Sequence, residues 1–345
     1  MDINEKILVD GRLLSVNPTG ISRYCVKMIG VIAQKYGEKS IVVLVNDAEV
    51  MQQDDLLKRL TVKETKLQAF NLLHWILLSF IVFFQKPKAY ICLNYSGLCF
   101  KRPSLKLVVT VYDLMFAFVK GFFGGGLKDL AGRLYYGVMV PRAIKISDVT
   151  LTISEASKQD IKNLYKKEAI NMSGGNFLEA TPEKGIIGKY KLIDKSYFMY
   201  AGNNRPHKNL SQLLRVFSEY KLQHPEAILI IVGHKGVSSN GIIYPGFVSE
   251  GELVALYQSA KALVFPSIYE GFGLPVLEAI INGCPVIASD IPAFREFENK
   301  NMVFFSTDKQ LYDFLNESPI YNKEYLKDIT TKFSWKNFSI NLEKI

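Results

Sequence analysis

The sequence predicts an α/β protein built from two doubly wound parallel-sheet domains, and three observations predict it. Short apolar, β-branched runs alternate along the chain with stretches whose apolar residues recur every three to four positions, the pattern of parallel strands joined by covering helices. At 345 residues, 48 % of them apolar, the chain can bury two cores and is not of disordered composition. The stretch GGNFLEATPEKG, Gly174 to Gly185, has neither period and separates two such series. The boundary is placed there, with domains over 1–178 and 179–325 and a terminal segment over 326–345.

The elements follow in order. Strands are expected at about Lys6 to Asp10, Ser40 to Asn46, Ala89 to Asn94, Lys106 to Asp113 and Val149 to Ser154. A helix over Ile21 to Tyr36 carries Ile21, Tyr24, Cys25, Met28, Ile29 and Ile32 on one face. The run Leu72 to Phe84, broken only by His74 and Ser79, is too short to span a bilayer. It reads either as a helix buried on the first sheet or as one that also dips a face into a membrane interface. Phe116, Phe118, Phe122 and Phe123, before the glycines at 124–126, form a second apolar candidate, or else an ordinary surface loop. In the second half, strands are expected at Tyr197 to Ala201, Ala227 to Val232 and Ala262 to Phe265. Asn209 caps a helix striped by Leu210, Leu213, Leu214 and Phe217, and Ser249 with Glu252 makes a capping box.

The most informative stretch is EGFGLPVLEAIINGCPVIASD, Glu270 to Asp290, where two carboxylates lie eight residues apart around a glycine turn and a helix start. Pro275 suits the first helical position and Gly283 the left-handed residue past the end, so a helix runs from about Pro275 to Asn282. Glu270 then precedes the helix and Glu278 lies in its early turns. The amides of Phe272, Gly273 and Leu274 between them favour a phosphate, and a carboxylate can accept both hydrogen bonds of a sugar or ribose diol.

These residues resemble the signature of glycosyltransferase family 4, retaining enzymes of GT-B architecture, whose two glutamates are separated by seven residues. The resemblance extends through PTGISRY (18–24), VTVYDL (109–114), LTISEASKQDI (151–161), YAGNNRPHKNL (200–210), PGFVSEGELVALYQSAKALVFPSIYEGFGLPVLEA (245–279) and FSW (333–335). It implies two Rossmann-like domains facing across a cleft, a last helix that crosses back to the N-terminal domain, and a nucleotide diphosphate sugar as donor. Relatives such as bacterial O-antigen and capsule mannosyltransferases imply transfer of a hexose, from GDP-mannose or a UDP-sugar, to a lipid-linked cell-surface polysaccharide intermediate.

Ligands of doubly wound sheets bind at the carboxyl ends of the strands, and the candidate residues fall there. Gly20 stands between the first strand and helix, where a glycine turn lets backbone approach a ligand. Arg205 and Lys208 follow the strand ending at Ala201 and can neutralise a departing diphosphate. Tyr112 and Asp113 end another strand, and Gly246, Phe247 and Val248 offer backbone groups to a nucleotide base. Two positions depart from the family pattern. Asn203 stands where many relatives have arginine, so Arg205 must supply the second positive charge, and Tyr112 replaces a histidine that contacts the donor sugar. There is no Asp-x-Asp and no histidine cluster, so a metal-independent enzyme without a cofactor is expected.

Residues 1–178 hold 24 Lys and Arg against 15 Asp and Glu, whereas residues 179–345 hold 18 of each, so the whole net charge of +9 is N-terminal. That half is attracted to polyanions, and a peripheral contact with an anionic membrane is expected. MDINEKILVDG enters a strand pattern without the features of a signal peptide, which implies a cytoplasmic location on the inner membrane face. Cys25, Cys92, Cys99 and Cys284 lack metal-ligand spacing and read as reduced thiols. Two other functions compete. A catalytically weak sugar-nucleotide-binding subunit of a glycan assembly complex would bind donor without turnover. A nucleic-acid-binding protein is suggested by the pI alone, without a reading motif.

Overall fold

The computed structural model describes residues 5–16, 20–69, 72–175, 178 and 180–342. Pro18 and Thr19 of the first motif block and Asn176, Phe177 and Glu179 of the boundary stretch lie outside the described residues. Two compact units form, one from Met1–Gly174 with Trp335–Ile345, the other from Gly175–Ser334.

The first unit holds strands β1 (Ile7–Asp10), β2 (Ile41–Val45), β3 (Thr61–Glu64), β4 (Ala89–Cys92), β5 (Lys106–Thr110), β6 (Val149–Thr152) and β7 (Ile170–Asn171). They pair in parallel in the order β3-β2-β1-β4-β5-β6-β7, Val9 lying opposite Val43 on one side and Ile91 on the other. Helices α1 (Gly20–Tyr36), α2 (Leu72–Gln85), α3 (Met115–Phe118), α4 (Leu127–Ile146) and α5 (Glu155–Tyr165) connect them. β1, β2 and most of β4 to β6 are buried, which explains their near-continuous apolar sequences. Strand order reverses between β1 and β4, because the chain first winds outward to β3 and then returns. On α1, Tyr24, Cys25, Met28, Ile29 and Ile32 are buried, but Ile21 is 40 % exposed and does not belong to the stripe.

Burial on α2 is one-sided. His74, Trp75, Leu78, Ser79 and Val82 are buried, while Leu73, Phe80 and Phe84 are exposed. The Ser79 hydroxyl donates to the Trp75 carbonyl at 2.8 Å and accepts the Cys99 amide at 2.9 Å, which accommodates a polar group on the inner face. The Phe116 to Phe123 segment mostly turns inward. Phe116 is buried and Phe123 packs on Tyr136 with ring centroids 5.0 Å apart, leaving Phe118 as its exposed ring. Cys25, Cys92 and Cys284 are buried free thiols, and burial pushes each up to about 12.

In the second unit β8 (Tyr197–Ala201), β9 (Ile228–Val232), β10 (Ile242–Gly246), β11 (Ala262–Phe265), β12 (Val286–Ser289) and β13 (Met302–Phe305) pair in parallel as β10-β9-β8-β11-β12-β13. The helices are α6 (Ile186–Lys189), α7 (Leu210–Gln223), α8 (Glu250–Ser259), α9 (Leu274–Ile281), α10 (Pro292–Arg295), α11 (Asp308–Asn316) and α12 (Leu326–Lys332), and α13 (Trp335–Leu342) belongs to the first unit. Ser249 and Glu252 form the reciprocal capping box of α8. Asn209 precedes α7 in a left-handed conformation, but its side chain donates to Gln212 Oε1 instead of capping the helix amides. α13 is held in the first unit by Phe338 against Tyr24, ring centroids 5.8 Å apart. Among the described residues no helix is long and apolar enough to cross a membrane.

Candidate functional site

The order of the second sheet places its switch point between β8 and β11, since the chain leaves β8 toward β10 and returns at β11. A ligand crevice is expected at the carboxyl ends of these two strands. The loop after β8 carries Arg205 and Lys208, and the loop after β11 carries Glu270. The Ile268 amide donates to the His207 carbonyl at 2.8 Å and joins the two loops. Lys208 Nζ donates to Glu270 Oε1 at 2.7 Å, with the two side chains only 13 % and 8 % exposed. Removing two charges from water costs about as much as their attraction returns, so such a pair contributes little to fold stability. A poised cation and carboxylate at a switch point is instead suited to binding.

An aromatic floor supports the pair. Lys208 Nζ lies 4.9 Å from the centre of the Phe265 ring, which stacks on Tyr200 with centroids 5.8 Å apart. The Tyr200 hydroxyl donates to the Asn203 carbonyl at 2.7 Å, and the Asn203 side chain accepts the Arg205 amide at 3.2 Å, which fixes the loop's start. Arg205 itself is exposed. His207 is buried, and burial, opposed only in part by the Glu270 carboxylate, lowers it to about 4. At neutral pH it is therefore uncharged, leaving Lys208 and Arg205 as the loop's cations.

The second glutamate stands on α9. This helix begins at Leu274, one residue before the expected start, so Pro275 occupies its second position, where a missing N–H is equally harmless. Gly273 precedes it with φ 107°, and a Cβ there would lie 2.7 Å from the Phe294 ring, so both conformation and space demand glycine. At the other end Gly283 has φ 80°, with its amide donating to the Ile280 carbonyl and the Cys284 amide to the Ala279 carbonyl at 2.9 Å, a Schellman ending. Glu278, in the second turn, is 9 % exposed, and burial together with its carboxylate holds the Tyr257 phenol well above the usual tyrosine range. The Phe272 side chain packs between Phe297 and Phe333, so only its backbone is left for a ligand. Leu274 contributes the first amide of α9.

Gly246 ends edge strand β10 with φ 78°, its carbonyl accepting the Gly233 amide at 2.8 Å. β10 is two strands from β8, roughly 10 Å along the sheet, and Phe247 and Val248 continue from it, Phe247 being 80 % exposed. The structure thus brings Lys208 and Glu270 together beyond the carboxyl ends of β8 and β11, with α9 following the Glu270 loop and Gly246 to Val248 at the end of β10 in the same sheet.

The first-unit candidates fit less well. Gly20 is the first residue of α1, not a turn, and the close approach occurs at Gly11, where a Cβ would lie 2.7 Å from Val43 Cγ1. Tyr112 is 2 % exposed and its hydroxyl donates to the Leu93 carbonyl at 2.9 Å, so the sugar contact expected of it gives way to a core role. Asp113 accepts the Met115 amide at 2.9 Å at the head of α3. Sequence reasoning also missed a buried polar cluster at the first sheet's switch point. Asp10, the last residue of β1, accepts from Arg12 Nε at 2.7 Å, Tyr90 Oη at 2.7 Å and Asn94 Nδ2 at 2.8 Å. The other side of Arg12 lies within hydrogen-bond reach of His74 Nε2, and a guanidinium can only donate there. Burial would raise Asp10, but the Arg12 charge and hydrogen bonds prevail and hold it down at about 2.

Residues 186–313 match the family model described as Glycosyl transferases group 1. The O-antigen chain mannosyltransferase B of Escherichia coli is 30 % identical over 171 residues, covering 42 % of this chain and 44 % of that protein. The O-antigen chain mannosyltransferase RfbU of Salmonella typhimurium is 26 % identical over 278 residues, 76 % of this chain and 72 % of its own length. Sucrose-phosphate synthase from Thermosynechococcus elongatus superimposes with a TM-score of 0.72 at 15 % identity, covering 99 % of this chain and 98 % of that structure. Together with the two doubly wound parallel sheets, these likenesses give the fold as GT-B, and the chain spans less than half the length of the mannosyltransferase B it matches.

Proposed function

We propose that this protein is a retaining hexosyltransferase, carrying a sugar, mannose first among the candidates, from a nucleotide diphosphate to a lipid-linked polysaccharide intermediate at the inner membrane face. The observation that carries the proposal is the nearly buried Lys208–Glu270 pair at the switch point of the second sheet. Lys208 meets the donor diphosphate, joined by Arg205 and the first amides of α9. The carboxylate of Glu270 holds hydroxyls of the transferred sugar and Glu278 those of the ribose.

Substitution runs on one face of the sugar. The bond from the anomeric carbon to the diphosphate oxygen breaks as the bond to the acceptor oxygen forms, and the acceptor proton passes to the departing phosphate. Cations and amides neutralise the leaving group, so no metal is required. The test is a donor series of UDP- and GDP-hexoses with purified protein, reading thermal stabilisation, turnover and the anomeric configuration of the product. Retention without added metal supports the proposal. Stabilisation by a donor with no turnover on any lipid-linked acceptor would instead make the chain a donor-binding subunit, and inversion would overturn the mechanism.

A further inference from the structure

Helix α8 buries Val254, Ala255, Leu256 and Tyr257, and Tyr257 has no exposed surface. A phenylalanine would fill the same space. The tyrosine adds a hydroxyl to a dry interior, which is unfavourable unless a polar group is there to meet it. Its oxygen is shut off from solvent and has no hydrogen-bond partner of ordinary geometry. The polar group it faces is the Glu278 carboxylate of α9, which acts on the phenol both by its charge and as a hydrogen-bonding group. Burial first and this carboxylate second hold the phenol well above the usual tyrosine range, so it keeps its proton and can donate, while a carboxylate can only accept.

Both ends of this contact stand on fixed backbone. The capping box of Ser249 and Glu252 holds the start of α8, and the Tyr197 hydroxyl of β8 donates to the Leu256 carbonyl at 2.7 Å, beside Tyr257. In α9 the Asn282 amide and side-chain nitrogen both donate to the Glu278 carbonyl, at 3.0 and 2.9 Å. Only side-chain torsions therefore separate the phenol from a well-aligned hydrogen bond with the carboxylate, and such bonds tighten when a ligand arrives. Glu278 keeps a little solvent-exposed surface and Tyr257 none, so a ligand can meet the carboxylate but not the phenol behind it. A carboxylate whose plane is fixed beforehand loses less freedom when it accepts the two hydroxyls of a diol.

We propose that Tyr257 is a positioning residue for the donor nucleotide: its hydroxyl donates to one oxygen of Glu278 and turns the other toward the ribose, which sets the preference for a ribonucleotide over its 2′-deoxy form. The inference rests on the reading of Glu278 as the ribose carboxylate and names the residue that aims it.

Calorimetry of the full chain with UDP, GDP and their 2′-deoxy forms tests it, on the parent, Tyr257→Phe, Glu278→Ala and the double variant. Thermal melts without nucleotide confirm that each variant is folded. Tyr257→Phe is expected to weaken binding of the ribonucleotide about fivefold, the worth of one ordinary hydrogen bond, and to shrink the ribo-to-deoxy preference by a similar factor. In the Glu278→Ala background the same change should have no effect. A merely structural role would lower the affinity for both forms equally and would persist without Glu278, and either result overturns the inference. So does a Tyr257→Phe variant that matches the parent in affinity and preference while Glu278→Ala loses binding, which leaves the ribose reading standing. A parent chain that binds the 2′-deoxy forms as tightly as the ribonucleotides overturns the inference without any variant. If Glu278→Ala binds nucleotide as tightly as the parent, the ribose reading fails and the positioning role fails with it.

Discussion

Lys208 Nζ stands 2.7 Å from Glu270 Oε1, although 62 residues separate them in the chain. The two sit at the ends of β8 and β11, strands that are neighbours because the sheet winds outward from β8 before returning, so topology creates a pair that spacing does not contain. The pairing also sets the two glutamates in different surroundings. Glu270 is engaged with the cation proposed to meet the diphosphate, while Glu278 lies in the second turn of α9.

Glu270→Ala is therefore expected to remove turnover while leaving nucleotide diphosphate affinity nearly unchanged, and Glu278→Ala to weaken nucleotide binding itself. Calorimetry with free UDP and GDP separates the two, and equal affinity losses in both variants would refute the division of roles.

Lys208→Ala should cost on the order of 3 kcal/mol of transition-state stabilisation, a hundredfold or more in rate. EDTA should leave the parent enzyme's rate unchanged. Abolition by chelation and restoration by manganese would assign charge neutralisation to a metal instead.

Gly273→Ala is expected to destabilise the second unit by about 1–3 kcal/mol, because the residue adopts φ 107° and its new Cβ would lie 2.7 Å from Phe294. Denaturant unfolding reads the loss directly. A stability equal to that of the parent would mean that the turn before α9 relaxes freely.

Much of the fold was legible because the evidence for it is local. The ranges of β8 and β11 follow from apolar runs between turn residues, and Ser249 with Glu252 signals a helix start three residues apart. What was hidden depends on distant partners. Nothing in an all-apolar run distinguishes Leu78, which is buried, from Leu73, which is exposed, until the first sheet is in place. Gly20 reads as a turn because it follows a strand, but Gly11 is the glycine pressed against β2. Asp10 finds Arg12 locally, yet Tyr90 and Asn94 reach it only once β4 lies beside β1.

Acid should act on the second unit through His207. Its folded value of about 4 lies below its ordinary 6.5, so the unfolded chain binds the proton first. Stability is complete above pH 6.5 and is lost as pH falls from there toward 4. His207→Gln should flatten this part of the stability profile in denaturant titrations, and an unchanged slope would assign the titration elsewhere.

The Asp10–Arg12 pair should govern a lower range. Asp10 is held at about 2 against an ordinary 3.8, so its contribution, on the order of 2 kcal/mol, is present above pH 4 and is lost as pH falls toward 2. Asp10→Asn leaves the Arg12 guanidinium, which has no exposed side-chain surface, without its counter-charge, and is expected to cost about 3–5 kcal/mol. Replacing both residues, Asp10→Asn with Arg12→Met, removes the stranded charge and should recover much of that loss. Denaturant unfolding of the two single variants and the double variant at pH 7 closes the cycle. If the double variant is as unstable as the sum of the singles, the pair is not coupled, and the cluster's effect on stability comes from Tyr90, Asn94 and His74 acting separately.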